Sequence, residues 1–142
     1  MVEEFWEIEE IRETLPPVGN PKAGLRKIGR DYARRMRRPE MLAIYRLIIA
    51  ETQRFPDLGQ RFHEKGKGPY LAHLNEYLEA ETRAGTLSVG NIPNASRQFL
   101  ATIAGQVFWS ELIVPGCGGT DADAAKVVEE AVFIMLARYA RK

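Results

Sequence analysis

The segment Met41–Pro56, MLAIYRLIIAETQRFP, decides how the rest of the chain is read. Met41, Tyr45, Ile48, Thr52 and Phe55 recur in alternating steps of four and three, and Ile44 and Ile49 widen the stripe. Residues three and four apart share one side of an α-helix, so this spacing predicts a broad face turned towards a core. Arg46, Ala50, Gln53 and Arg54 occupy the opposite face, which makes the segment an amphipathic helix and not a membrane span. Phe55-Pro56 should end it, because the residue before a proline is pushed away from helical backbone angles. The other segments are expected to pack around this helix.

Upstream, residues 3–15 form a candidate helix with Phe5, Ile8, Ile11 and Leu15 on one side, and hold six glutamates against one arginine. Pro16-Pro17 ends it and Gly19-Asn20-Pro21 makes a turn. Residues 22–38 form the next helix, with Leu25, Ile28, Gly29, Tyr32, Ala33 and Met36 inward. Arg26, Lys27, Arg30, Arg34, Arg37 and Arg38 give it a basic outer face. Two short helices joined by a tight turn should lie antiparallel, so this face either complements the acidic helix, is simply solvated, or contacts phosphate or a partner. No aromatic residue is interleaved with the outer arginines, which argues against single-strand stacking.

Downstream, residues 57–65 read as a short helical turn with Leu58 and Phe62 inward, broken by Lys65-Gly66-Lys67-Gly68-Pro69. This GKG lacks the glycine spacing, the lysine–hydroxyl pair and the preceding strand of a P-loop. Residues 70–84 form a further helix with Tyr70, Leu71, Leu74, Tyr77 and Leu78 inward, and Gly85 lies where a C-terminal cap is expected. His63 and His73 have no pairing of the HExxH kind, so no metal site is expected, and His73 reads as core or as polar pocket lining.

Asn91 is the expected N-cap of a helix over 92–114, with Pro93 tolerated in its first turn. Thr120 and Asp123 form the acidic variant of a capping box at the start of a helix over 120–141. Between Ala95 and Val114 only Arg97 and Glu111 are charged, and residues 131–137 read AVFIMLA. Helices apolar on all sides must be covered on more than one side. A chain of about six helices has little left to cover two such helices at its own end. The economical solution is a homodimer in which both helices pair with their equivalents as a four-helix bundle. Ala101, Ala104, Phe108, Leu112, Val128, Ala131 and Met135 are the expected seam.

Bulk numbers limit the function classes. One domain over residues 1–142 can bury a real core. A net charge of +1 gives no general affinity for nucleic acid or membranes, and one cysteine, Cys117, excludes an internal disulfide. No apolar run approaches membrane-spanning length, and the acidic N-terminus is the reverse of a targeting signal, so a cytoplasmic location is expected. There is no Glu-x-x-His pair and no evident nucleophile–base pair, so neither a bundle enzyme nor a cofactor is expected.

The order of these elements, and the wording of several, resembles the C-terminal domain of TetR-family transcriptional repressors, in particular the AefR-like branch. The segments that carry the likeness are Tyr45–Pro56 (YRLIIAETQRFP), Asp57–Phe62 (DLGQRF), Tyr77–Leu87 (YLEAETRAGTL), Asn91–Gly105 (NIPNASRQFLATIAG) and the two closing helices. The likeness runs from about Pro21 onward, and residues 3–15 fit the linker that leaves the DNA-binding unit. It implies an all-α domain that dimerises through its last two helices and binds a small, often apolar effector within the others. Members of that family begin with a helix-turn-helix, which this chain does not contain. It is then either a piece of a longer regulator or a stand-alone binding protein of the same fold, contacting DNA only through a helix-turn-helix not present here. The expected effector cavity lies between the 41–56 and 70–84 helices. Trp6, Tyr45, Ile48, Thr52, Phe62, His73, Tyr77 and Trp109 are its candidate lining, with Thr52, His73 and Tyr77 setting its polarity.

Overall fold

A computed structural model of the chain describes Trp6 and residues 15–141. The helix expected over 3–15 therefore lies outside the described residues, apart from Trp6 and Leu15. From Pro21 the chain is all-α, and among the described residues the β-structure is one isolated bridge, Leu87 to Ala140.

Helix α1 spans Pro21–Met36, started by the Asn20 side chain accepting from the Ala23 N–H at 3.2 Å. Its arginines sit to one side, leaving a face of Leu25, Ile28, Tyr32 and Met36 separated by Gly24, Gly29 and Ala33, all buried. That face lets α1 serve as the hub. Helices α5 (Ile92–Val107) and α7 (Asp121–Tyr139) pack on it and on each other, and α4 (Gly68–Ala84) lies against α5. Gly24 shows how close the packing is: a Cβ there would fall on the Tyr77 hydroxyl of α4. Arg35 is the exception on the buried face. Its guanidinium donates to Asp31 Oδ2 at 2.7 Å and to the Trp6 carbonyl, which offsets the cost of burying a charge.

Local chemistry fixes the remaining ends. Pro39 opens α2 (Pro39–Glu51) and Pro56 opens α3 (Pro56–Phe62), each at a first-turn position where no N–H is required. Gly85, in the left-handed region at φ 85°, closes α4. Asn91 caps α5, and Thr120 and Asp123 form the full reciprocal capping box of α7.

Two expectations need correction. The 41–56 segment is not the centre of the fold. It ends as a helix at Glu51, and only Met41 is buried, while Leu47 (56%), Ile49 (53%) and Phe55 (55%) are exposed. Its apolar residues extend round the helix, so burying one face on α1 and α3 leaves the others in water. The 92–114 segment is also not one helix. The backbone departs from helical angles at Phe108 (φ -116°), and α6 (Trp109–Ile113) follows as a separate short helix. The break carries the Phe108 ring into the core, where it meets Tyr45.

Candidate functional site

Between α3 and α4 the chain makes a five-residue π-helical turn, His63–Lys67, in which the Gly68 N–H reaches back to the His63 carbonyl. Such insertions re-aim the helix that follows and recur at functional sites. Gly66, buried in this turn, lies against Trp6, and a Cβ there would overlap the indole. The turn thus makes room for a large ring where the lysine–glycine run would otherwise read as a surface break.

Trp6 is the middle of a continuous column of rings. On one side it meets Tyr70, with centroids 5.7 Å apart, and Tyr70 meets Tyr32 of α1 at 5.4 Å. On the other it meets Phe62 at 6.1 Å, and Phe62 meets Tyr45 of α2 at 5.1 Å. Tyr45 then packs edge-on against Phe108 at 4.7 Å and Trp109 at 6.2 Å. These separations suit offset or edge-to-face aromatic pairs.

The column is apolar with a few polar tips. The Tyr32 hydroxyl and the Trp6 Nε1 are buried and have no hydrogen-bond partner among the described residues. Burial, and next the neighbouring Tyr45, push the Tyr32 hydroxyl well above the ordinary tyrosine range, and burial pushes Tyr45 up to about 12. Tyr70 is raised chiefly by burial and then by Asp31, to which its hydroxyl donates at 3.1 Å. The Lys67 ammonium stands 6.0 Å from the Tyr32 ring centre, and burial lowers its pKa. All three tyrosines are neutral at physiological pH, so the polar tips of this packed column carry no charge. Among the described residues no three His, Cys, Asp or Glu side chains converge on a metal position.

Of the eight expected lining residues, Trp6, Tyr45, Phe62 and Trp109 come together in this column, and Ile48 packs, half-buried, on the same core. The other three do not share a cavity. Thr52 caps α2 and faces Gly59 of α3. His73 is buried beside a cleft of about 60 Å³ with Lys27, Asp31 and Tyr70, its Nδ1 3.8 Å from Glu76 Oε2. Tyr77 donates to Glu81 Oε2 at 2.6 Å, and Glu81 Oε1 accepts from the Gly19 N–H and the Thr86 hydroxyl, both at 2.9 Å. That fully buried carboxylate ties the turn before α1 to the end of α4. The cavity expected between the 41–56 and 70–84 helices, with Thr52, His73 and Tyr77 setting its polarity, is therefore corrected. The inner face of α4 that holds His73 and Tyr77 is turned to α1, and α2 lies elsewhere. Of the two residues that complete the column, Tyr32 is legible as an inward aromatic with a polar tip and Tyr70 only as an inward residue.

The expected dimer seam also needs correction. Ala104, Phe108, Leu112, Val128, Ala131 and Met135 are buried within the single chain, where α5 and α7 pack on each other and on α1, so they cannot face a partner. Of the seven, only Ala101 is exposed. Apolar side chains left in water are Trp109 and Ile113 (76%) on α6 and Phe133 (66%) and Ile134 on α7. No helix of the described residues is long and apolar enough to cross a membrane.

Comparison with known proteins matches residues 23–141 to the C-terminal domain of the AefR-like transcriptional repressors. Among solved structures, a proposed TetR-family transcriptional regulator from Mesorhizobium loti MAFF303099 superposes with a TM-score of 0.86, covering 98% of this chain and 68% of its own at 23% identity. The flavonoid-responsive regulator FrrA superposes with a TM-score of 0.72, covering 98% of this chain and 71% of its own at 27% identity. No curated protein sequence matches the chain.

Proposed function

The chain belongs to the AefR-like transcriptional repressors, as their C-terminal domain, and we propose that it binds a small aromatic or apolar effector in the ring column and pairs with a second copy of itself. The observation that carries the effector reading is the pair of buried, unpartnered polar atoms, Tyr32 Oη and Trp6 Nε1, set among aromatic rings. A buried polar group without a partner costs about 1–3 kcal/mol, and a ligand that supplies the partner recovers that cost. A flat polyphenol has ring faces for the walls and hydroxyls for these two atoms, and FrrA, a structural relative, is described as flavonoid-responsive. Entry requires an element that moves readily, and α2 is that element, since it buries only Met41.

The pairing reading rests on exposed small and apolar residues of the closing helices, Ala101 and Gly105 of α5, Trp109 and Ile113 of α6, and Ile134 and Ala137 of α7. Covering them in a four-helix bundle would bury an area on the order of 2,000 Å².

Calorimetric titration with the flavanone naringenin tests the effector reading. Saturable binding is expected, weakened about tenfold in Tyr32→Phe. The same substitution removes an unsatisfied hydroxyl and should leave the ligand-free protein as stable or more so. Absence of binding, or a strongly destabilised Tyr32→Phe with unchanged affinity, contradicts the proposal. Light scattering should give twice the 16.1 kDa chain mass, and Ala101→Glu with Ala137→Glu should reduce it to monomer.

A further inference from the structure

The two buried atoms of the ring column without a partner, Trp6 Nε1 and Tyr32 Oη, can both donate a hydrogen bond, and the indole N–H can do nothing else. Lys67 adds a third donor beside them. It lies in the π turn that makes room for Trp6, and its ammonium stands 6.0 Å from the Tyr32 ring centre. The turn fixes its place, because neither neighbour can carry a side chain freely. A Cβ at Gly66 would overlap the Trp6 indole, and one at Gly68 would come within 2.8 Å of the His63 carbonyl oxygen. Lys67 is half-buried, and no carboxylate pairs with it among the described residues. Burial lowers its pKa, with no neighbouring charge to raise it again. Arg35, the cation 6.0 Å from the Tyr70 ring, differs in this respect: its guanidinium is paired with Asp31 at 2.7 Å.

We propose that the effector is an aromatic acid, a flat ring bearing one carboxylate, and that Lys67 selects its charge. This deepens the reading above and rests on the ring column being the effector site. Three donors without a partner call for a ligand rich in acceptors. A carboxylate has two acceptor oxygens and no donor, and its bonds to an ammonium are the stronger, charge-assisted kind. Away from bulk water such a pair attracts more strongly than on an exposed surface. The folded chain already holds the ammonium half out of water, so an anion gains the attraction without first desolvating that group. A neutral polyphenol can satisfy Tyr32 and Trp6 but leaves the charge of Lys67 unmatched.

The probes are 4-hydroxycinnamate and its neutral amide, which differ only in the charged end of one molecule. Each is titrated calorimetrically into the full chain at about pH 7, where the carboxylate is ionised. A salt concentration of about 150 mM screens exposed charges beyond roughly 8 Å. The acid should bind about tenfold more tightly than the amide. Lys67→Met keeps the apolar stem and removes the ammonium, so it should bring the acid down to the affinity of the amide. Unchanged naringenin affinity in that variant shows the column intact. Lys67→Arg, which keeps the charge, should retain most of the preference. Equal affinities of acid and amide for the native chain, or a preference that survives Lys67→Met, overturn the proposal. Naringenin binding with neither cinnamate bound also overturns it and leaves the ring column as a site for neutral effectors. If naringenin and both cinnamates fail to bind, the ring-column reading falls and the proposal with it.

Discussion

Helices α1 and α2 are neighbours with opposite compositions and opposite fates. α1 is the most basic stretch of the chain, yet eight of its residues are buried, including Arg35. α2 has only Glu40, Arg46 and Glu51 as charges, yet buries Met41 alone. Segregation, and not mean hydropathy, sorts them. The charges of α1 occupy one side and leave a clean apolar face with three small residues for close approach. The apolar residues of α2 surround its axis, so no single neighbour can cover them. The result is a rigid hub beside a weakly anchored helix that carries Tyr45 and Ile48, two walls of the candidate site.

This contrast can be broken most sharply by matched truncations. Leu25→Ala in α1 should cost about 3 kcal/mol in denaturant unfolding, while Leu47→Ala in α2 should stay within about 0.5 kcal/mol. Equal losses would mean that α2 is as firmly packed as α1. A subtler effect is expected at Gly24, where the added methyl meets the Tyr77 hydroxyl and disturbs its bond to Glu81. Alanine gains about 1 kcal/mol of helix propensity there, but the overlap should outweigh it, giving a net loss of about 2 kcal/mol. A stabilised Gly24→Ala would show that α1 and α4 are not in close contact.

An effect confined to alkaline pH is expected on the α2 side of the column. Burial holds the Tyr45 pKa at about 12, above its ordinary value of 10.0. The neutral form is favoured in the folded state, so the contribution of Tyr45 is complete below pH 10 and is lost as pH rises from there towards about 12. The slope is about 1.4 kcal/mol per pH unit. Tyr45→Phe should flatten the alkaline fall of stability in that window by this amount. An unchanged profile would place the Tyr45 hydroxyl in water.

The sequence was most legible where local chemistry acts alone. The Asn91 cap, the Thr120–Asp123 box, the Gly85 stop and the hub face of α1 are all read from short spacings, and each is present. It was least legible where a helix has more than one apolar side. For α2 the strongest stripe is not the sign of the centre. For α5 and α7 the residues chosen for a partner are those that α1 and the sister helix already cover, and spacing alone cannot assign one side to the chain and the other to a second copy. At the site, Trp6, Tyr45, Phe62 and Trp109 are recognisable as large inward rings. Thr52, His73 and Tyr77 share inward positions too, but facing inward does not say which neighbour is faced. The π turn between α3 and α4 shows in the sequence only as the interruption Gly66-Lys67-Gly68.

The central claim is that the ring column is the effector site and that α2 opens it. A crystal structure of the chain grown with naringenin tests this most directly. The account predicts ligand density between the Trp6, Tyr32, Tyr45 and Phe62 rings, with a polar ligand atom within hydrogen-bonding reach of Tyr32 Oη or Trp6 Nε1 and α2 displaced outward relative to α1. Ligand density elsewhere, with the seven rings packed against one another as they are without it, would contradict the claim.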